Sequence, residues 1–219
     1  MIITLDGPAG VGKSTAARLL AGQLNIAFLD TGATYRAATL NVMRQEIDWA
    51  DTDAIAAATR NAETHLIVNG DSLTVLLDGD DVSDAIRDPN VTRQVHHLAS
   101  QPKVRDVLVN LQRQIGAELG SFVAEGRDQG SVVFPNADVK FFLDADPQVR
   151  AQRRYDELVA SGKTVDFDAL LAEIVERDEA DRNRDVAPLI VPEGAILIDT
   201  SGKTIEQVQS ELLTCVEGA

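Results

Sequence analysis

The sequence predicts an α/β protein built on a doubly wound, five-stranded parallel sheet, and three observations carry that expectation. Five short apolar runs, Ile2 to Asp6, Ile26 to Leu29, Phe122 to Ala124, Val139 to Asp144 and Ala195 to Asp199, are separated by stretches with helical periodicity. Each run delivers a polar residue at its C-terminal end, as expected of strands buried on both faces whose carboxyl ends look toward a ligand. The rhythm breaks once, between about residues 60 and 90, where a small antiparallel element reads as an addition to the core.

The first run passes into Gly7-Pro8-Ala9-Gly10-Val11-Gly12-Lys13-Ser14-Thr15, and Ala16, Ala17, Leu19 and Leu20 continue as helix formers. Strand, G-x-x-x-x-G-K-S and helix together are the context a phosphate-binding loop needs. Glycines let successive N–H groups face one concavity, the helix N-terminus adds partial positive charge, and Lys13 adds a whole one. Ser14 can place a hydroxyl on Mg²⁺, so a nucleoside triphosphate is the expected ligand.

Ile26 to Leu29 reads as a second strand leading through Asp30-Thr31-Gly32 into a polar loop, with a helix over 34–46. An alanine-rich helix over 53–63 has Thr52 or Asp53 available as its cap. Leu66-Ile67-Val68, Asn69-Gly70-Asp71 and Leu73 to Leu77, followed by an acidic turn centred on Gly79, predict a hairpin because Asn-Gly supplies positive φ. Residues 89–119 are helical with Pro102 opening a second helix, and two charged helices flank Ser161-Gly162-Lys163, the later one spanning 167–184.

At 219 residues, 44% of them apolar, the chain is expected to form one core domain. A net charge of −15 excludes a general nucleic-acid surface but not an anion in an arginine-lined pocket. With no leader-like start and no apolar run of membrane-spanning length, a cytosolic protein that does not engage membranes is expected. Cys215, the one cysteine, lies at apolar spacing and reads as a packed side chain. His65, His96 and His97 lack metal-ligand spacing and read as structural or surface residues.

Arginines are concentrated late in this acidic chain. Arg150, Arg153 and Arg154 would share one helix face, where three cations repel unless an anion joins them. Arg177, Asp181 and Arg184 would give cation, anion, cation at i, i+4 and i+7. Each set is open to two readings, a locally paired solvated face or a clamp on a transferring phosphoryl group. Thr31 and Arg36 after the second strand, and Arg127 after the third, could hold an oxyanion. Asp128 cannot; in a pocket its carboxylate would accept from a cytosine N4 amino group, which uracil lacks, and otherwise it pairs with an arginine.

Four stretches, Gly7 to Thr15, Asp30 to Arg36, Glu125 to Pro135 and Arg177 to Arg184, together resemble the bacterial cytidylate kinase family from residue 2 to about residue 200. The resemblance implies a P-loop nucleoside monophosphate kinase fold, a single unit over 1–219. Its monophosphate-binding region would span 31–105, enlarged by the β insertion at about 60–90, with a lid over 145–185. It implies phosphoryl transfer from MgATP to CMP or dCMP; a monomer is expected. Thr31, Arg36 and Arg127 would then serve the acceptor phosphate, Arg105 and Asp128 the cytosine, and Arg177 with Asp181 the sugar. Lys13, Arg127, Arg184 and the lid residues Arg153 and Arg154 would stabilise the transferring phosphoryl. Glu125 could reach the metal through water. One departure stands out: where the family pattern has a serine beside the base, this chain has His96. Two rivals remain, a kinase of the same fold for another monophosphate such as UMP or AMP, and a GTP-dependent switch. The switch is disfavoured because no Asn-Lys-x-Asp motif occurs.

Overall fold

The computed structural model describes residues 1–69 and 72–218. Strand β1 (Ile2–Asp6) leads to helix α1 (Lys13–Leu24), β2 (Ala27–Asp30), α2 (Thr31–Arg44) and α3 (Thr52–Asn61). Strands β3 (Thr64–Asn69), β4 (Ser72–Leu77) and β5 (Asp80–Asp81) follow, then α4 (Pro89–Ala99) and α5 (Pro102–Leu119). The chain finishes with β6 (Phe122–Glu125), β7 (Val139–Asp144), α6 (Pro147–Ala160), α7 (Phe167–Arg182), β8 (Ile196–Asp199) and α8 (Ile205–Glu217).

The five apolar runs form one parallel sheet in the order β2-β6-β1-β7-β8. β1 lies at its centre and is hydrogen-bonded to strands that begin more than a hundred residues later. One face packs Ile3, Leu5, Phe141 and Leu143 against Ala16, Ala17 and Leu20 of α1 and Val208 and Leu212 of α8, with Cys215 half-buried at its margin. The opposite face packs Phe122 and Ala124 against Val109 and Ile115 of α5, and Phe122 meets Phe134 edge to face at 5.0 Å.

The antiparallel element is a separate sheet in the order β3-β4-β5. β4 and β5 are joined by Asp78 and Gly79 with φ of 51° and 87°, the pattern of a two-residue turn with both centres left-handed. The expected Gly70-Asp71 turn lies outside the described residues. Val75 and Leu77, each contributing about 1.5–3 kcal/mol on full burial, fasten this sheet to Ala33 and Ala37 of α2. Among the described residues no helix is long and apolar enough to cross a membrane.

Three boundaries differ from expectation, each through a cap. No loop follows β2: Asp30 accepts from Ala33 N at 3.1 Å, and α2 starts at once. Helix α3 is capped by Asp51, which accepts from Ala54 N at 2.9 Å, rather than by Thr52 or Asp53. Helix α7 ends at Arg182, so Arg184 lies in the segment beyond it instead of on its face.

Candidate active site

The carboxyl ends of β1, β2 and β6 open onto a cavity of about 430 Å³. On the side of the glycine-rich loop, Gly7 and Gly12 have φ of 146° and 90°, and a Cβ on Gly7 would come within 2.0 Å of the Leu143 carbonyl oxygen. Only glycine permits that approach. Gly12 caps α1 without a side-chain acceptor, so the first N–H groups of the helix are left for an anion. Ala9, Gly10, Lys13, Ser14 and Thr15 join Gly12 in the cavity wall. Pro8 and Val11 stand behind the loop: Lys13 Nζ donates to Pro8 O at 2.7 Å, and Val11 is buried in the core. Burial, with Arg127 nearby as the second cause, holds the Lys13 ammonium well below the usual lysine range.

Ser14 Oγ donates to Glu125 Oε1 at 2.7 Å, which brings a hydroxyl and a carboxylate together beside the loop. Burial, then the neighbouring Asp30 carboxylate, raises the Glu125 pKa. The hydroxyl and the carboxylate are hard oxygen donors; among the described residues no cluster of three His, Cys, Asp or Glu side chains forms a metal site.

The side facing the loop is assembled from separate elements. Asp30, having capped α2, also accepts from Arg36 Nη2 at 2.7 Å and so sets that guanidinium in the wall. Thr31 Oγ1 donates to Glu125 O at 2.7 Å. Past β6 the backbone makes a wide π-type turn from Gln129 to Val133, held at both ends. Asp6 accepts from Gln129 N at 2.8 Å and Gly130 N at 2.7 Å, while Arg113 of α5 donates to Val133 O at 2.9 Å and Val132 O at 2.8 Å. Burial lifts the Asp6 pKa to about 6 despite those two N–H donors. Arg127 and Asp128 immediately precede this turn and line the cavity.

Arg105 and Asp128, both buried, are hydrogen-bonded to each other, and Arg105 lies over the Tyr35 ring at 5.8 Å. Burial pushes the Tyr35 hydroxyl above its usual range. Arg127 Nε donates to Asp181 Oδ2 at 3.1 Å, and Arg184 Nη1 stands 3.9 Å from Asp181 Oδ1, so one carboxylate separates two guanidiniums. Burial, then Arg127, lowers the Arg177 pKa. The Nε atoms of Arg36 and Arg184 are buried without a hydrogen-bond partner among the described residues, donors that an anionic ligand would satisfy.

The structure therefore brings Lys13, Ser14, Thr31, Arg36, Arg105, Arg127, Asp128, Arg153, Arg177, Asp181 and Arg184 around one cavity. It does not bring Arg154 there: that side chain is exposed and bonds Glu157 at 3.0 Å, while Arg153 reaches the cavity and bonds Thr200. Arg150 leaves the set altogether and is fully buried against Asp178. His96 is exposed, in keeping with its reading as a structural or surface residue. Its Nδ1 lies 2.7 Å from Arg93 O and its ring rests 3.9 Å from that of His97, whereas α4 turns Thr92, Val95 and Ala99 to the cavity. The helical spacing of those three could have been found in the sequence. Tyr35 and Asp30 were visible only as neighbours of Arg36 and Thr31.

A phosphate cradle at a helix N-terminus, facing an arginine-rich cavity across the carboxyl ends of a parallel sheet, defines a P-loop phosphotransferase. The sequence matches the family described as cytidylate kinase over residues 3–218. It is 48% identical over 219 residues to the cytidylate kinase of Corynebacterium efficiens, spanning 100% of this chain and 95% of that protein. It is 41% identical over 216 residues to that of Vibrio cholerae, spanning 99% and 96%. The chain belongs to the cytidylate kinase family. A solved structure of an uncharacterised protein from Eubacterium ventriosum shares the fold, with a TM-score of 0.52 at 14% identity over 100% of this chain and 99% of that one.

Proposed function

We propose that the protein transfers the γ-phosphoryl group of MgATP to CMP or dCMP, giving ADP and CDP or dCDP. The observation that carries the choice of base is the buried Arg105–Asp128 pair in the cavity wall. Cytosine presents acceptors at O2 and N3 beside a donor at N4, which suits a guanidinium next to a carboxylate. Uracil turns its O4 acceptor toward that carboxylate, and a desolvated like-signed contact of this kind is unfavourable by about 1–3 kcal/mol.

The acceptor phosphate, with a second pKa of about 6, is mostly dianionic at neutral pH, so no protein base is required. The protein's task is to align two polyanions, balance their charge and exclude water. The loop from Gly7 to Thr15 cradles the triphosphate. Lys13, drawn to a fuller charge by that anion, accompanies the phosphoryl group as it moves. Ser14, with Glu125 hydrogen-bonded behind it, would hold a Mg²⁺ that arrives with the triphosphate, and that ion would supply positive charge for the phosphate oxygens. Thr31, Arg36 and Arg127 hold the acceptor phosphate, Arg177 and Asp181 hold the sugar, and Arg184 joins Arg127 in stabilising the transition state. The segment over 145–185 covers this side of the site and places Arg153 of α6 toward the reacting groups.

Initial rates with MgATP on CMP, dCMP, UMP and AMP test the reading. A CMP or dCMP preference over UMP of roughly tenfold or more is expected, and a preference for AMP would overturn it.

A further inference from the structure

The buried ion pair of Arg150 and Asp178 has no part in the reaction as described. Arg150, on α6, is fully buried, and its guanidinium donates to three other segments. Its Nε donates to Ala145 O just past β7 at 3.0 Å, and its Nη1 donates to Ala9 O of the phosphate loop at 3.0 Å. Nη1 also donates to Asp178 Oδ1 at 3.1 Å, while Nη2 donates to Oδ2, so the two side chains form a bidentate fork across α6 and α7. The stem of Arg150 sits directly beneath Gly10: a Cβ added there would stand 3.4 Å from the Arg150 Cβ.

Stability does not account for such a pair. Removing two ions from water costs about as much as their attraction returns, and well-packed apolar residues commonly do as well or better. Apolar residues cannot fix direction, however. The planar fork sets the rotation and height of α7 against the Ala9 carbonyl, and Asp178 is followed three residues later by Asp181 and preceded directly by Arg177.

We propose that Arg150 and Asp178 are a positioning pair that registers the acceptor-side residues of α7 against the phosphate loop, so that the two substrates meet in line. This rests on the reading of Arg177 and Asp181 as acceptor-side residues. Each substrate is bound chiefly by its own half of the site, so a faulty registry should appear in turnover rather than in affinity. Displacement of about 1 Å from a distant change can cost about 100-fold in rate.

The experiment is steady-state kinetics and thermal unfolding of Arg150→Met/Asp178→Leu, with Arg150→Lys as a second variant that keeps the charge and loses the fork. The double variant is expected to fold but to unfold somewhat below the wild-type temperature, because Arg150→Met also takes the donor from the Ala145 and Ala9 carbonyls. It should keep the KM for ATP and for CMP within about threefold and lose about 100-fold in kcat. Arg150→Lys should lose kcat in the same sense. Wild-type kcat in either folded variant, or a loss confined to KM, would overturn the proposal. Arg177→Ala separates the underlying reading: if that variant leaves CMP kinetics unchanged, the acceptor-side assignment fails. An impaired Arg177→Ala beside a fully active double variant shows that only the positioning role fails.

Discussion

The two halves of the cavity are built by opposite means. The donor half comes from one unbroken stretch, Gly7 to Thr15, and binds mainly through backbone N–H groups, a helix terminus and a single ammonium. The acceptor half draws on α2, α5, the turn after β6 and α7, and consists almost wholly of side chains that already hold one another: Asp30 with Arg36, Arg105 with Asp128, Arg127 with Asp181. A backbone cradle accepts any triphosphate. A lattice of paired side chains has directions built into it, and direction is what separates one base from another.

That contrast can be broken most easily at its strongest point. Lys13→Ala should lower kcat by about 1,000-fold while leaving the ratio of CMP to UMP turnover unchanged, and a shifted ratio would mean the donor half also reads the base. Arg127→Ala should lower kcat/KM for CMP by about 100-fold and leave the KM for ATP within about twofold, as measured by coupled assay. Asp128→Asn should reduce the CMP over UMP preference by about tenfold. It should also lower the unfolding temperature, because Arg105 is left buried beside a neutral partner.

A smaller effect concerns the residue joining the halves. The folded protein holds the proton of Asp6 more tightly than the unfolded chain does, with a pKa raised from 3.8 to about 6. Its contribution to stability is thus full below about pH 4 and is lost as pH climbs through about 6. Asp6→Asn, lacking that titration, should gain stability relative to the wild type between pH 4 and pH 7 in denaturant unfolding. The least effect is expected from His96→Ala: less than about twofold in CMP over UMP preference, since surface substitutions away from special contacts are worth within about 0.5 kcal/mol.

The same contrast explains what could be read from the residues alone. A contiguous motif carries its geometry in its spacing, so the loop, the strand that feeds it and the helix that leaves it were legible at once. The five strands were legible because each is a short apolar run ending in a polar residue. Pairings across the cavity were not. Arg150, Arg153 and Arg154 look equivalent on a helical wheel, yet one is sealed against Asp178, one bonds Thr200 and one faces solvent. Only the packing of α6 on α7 and on the phosphate loop separates them. His96 reads as a structural or surface residue and is exposed, but which residues of α4 meet the cavity was not legible, because the rotation of the helix about its own axis gives that place to Thr92, Val95 and Ala99. Helix α2 starts three residues before the expected 34, and the α3 cap falls one or two residues before the expected Thr52 or Asp53, because several polar residues stand together there and only backbone geometry selects among them.

The central place of β1 has a consequence for how the molecule comes into being. As the chain emerges from the ribosome, the first strand and the loop after it are made almost at once, but the hydrogen-bonding partners of that strand start at Phe122 and Val139. For more than half of synthesis the residues of the loop have no sheet to hold them. Such long-range parallel pairing forms slowly and leaves apolar strand edges open to other chains in the meantime. Triphosphate binding therefore becomes available late, as a product of completed topology, and a chain halted before Phe122 would carry every residue of the cradle without being able to form it.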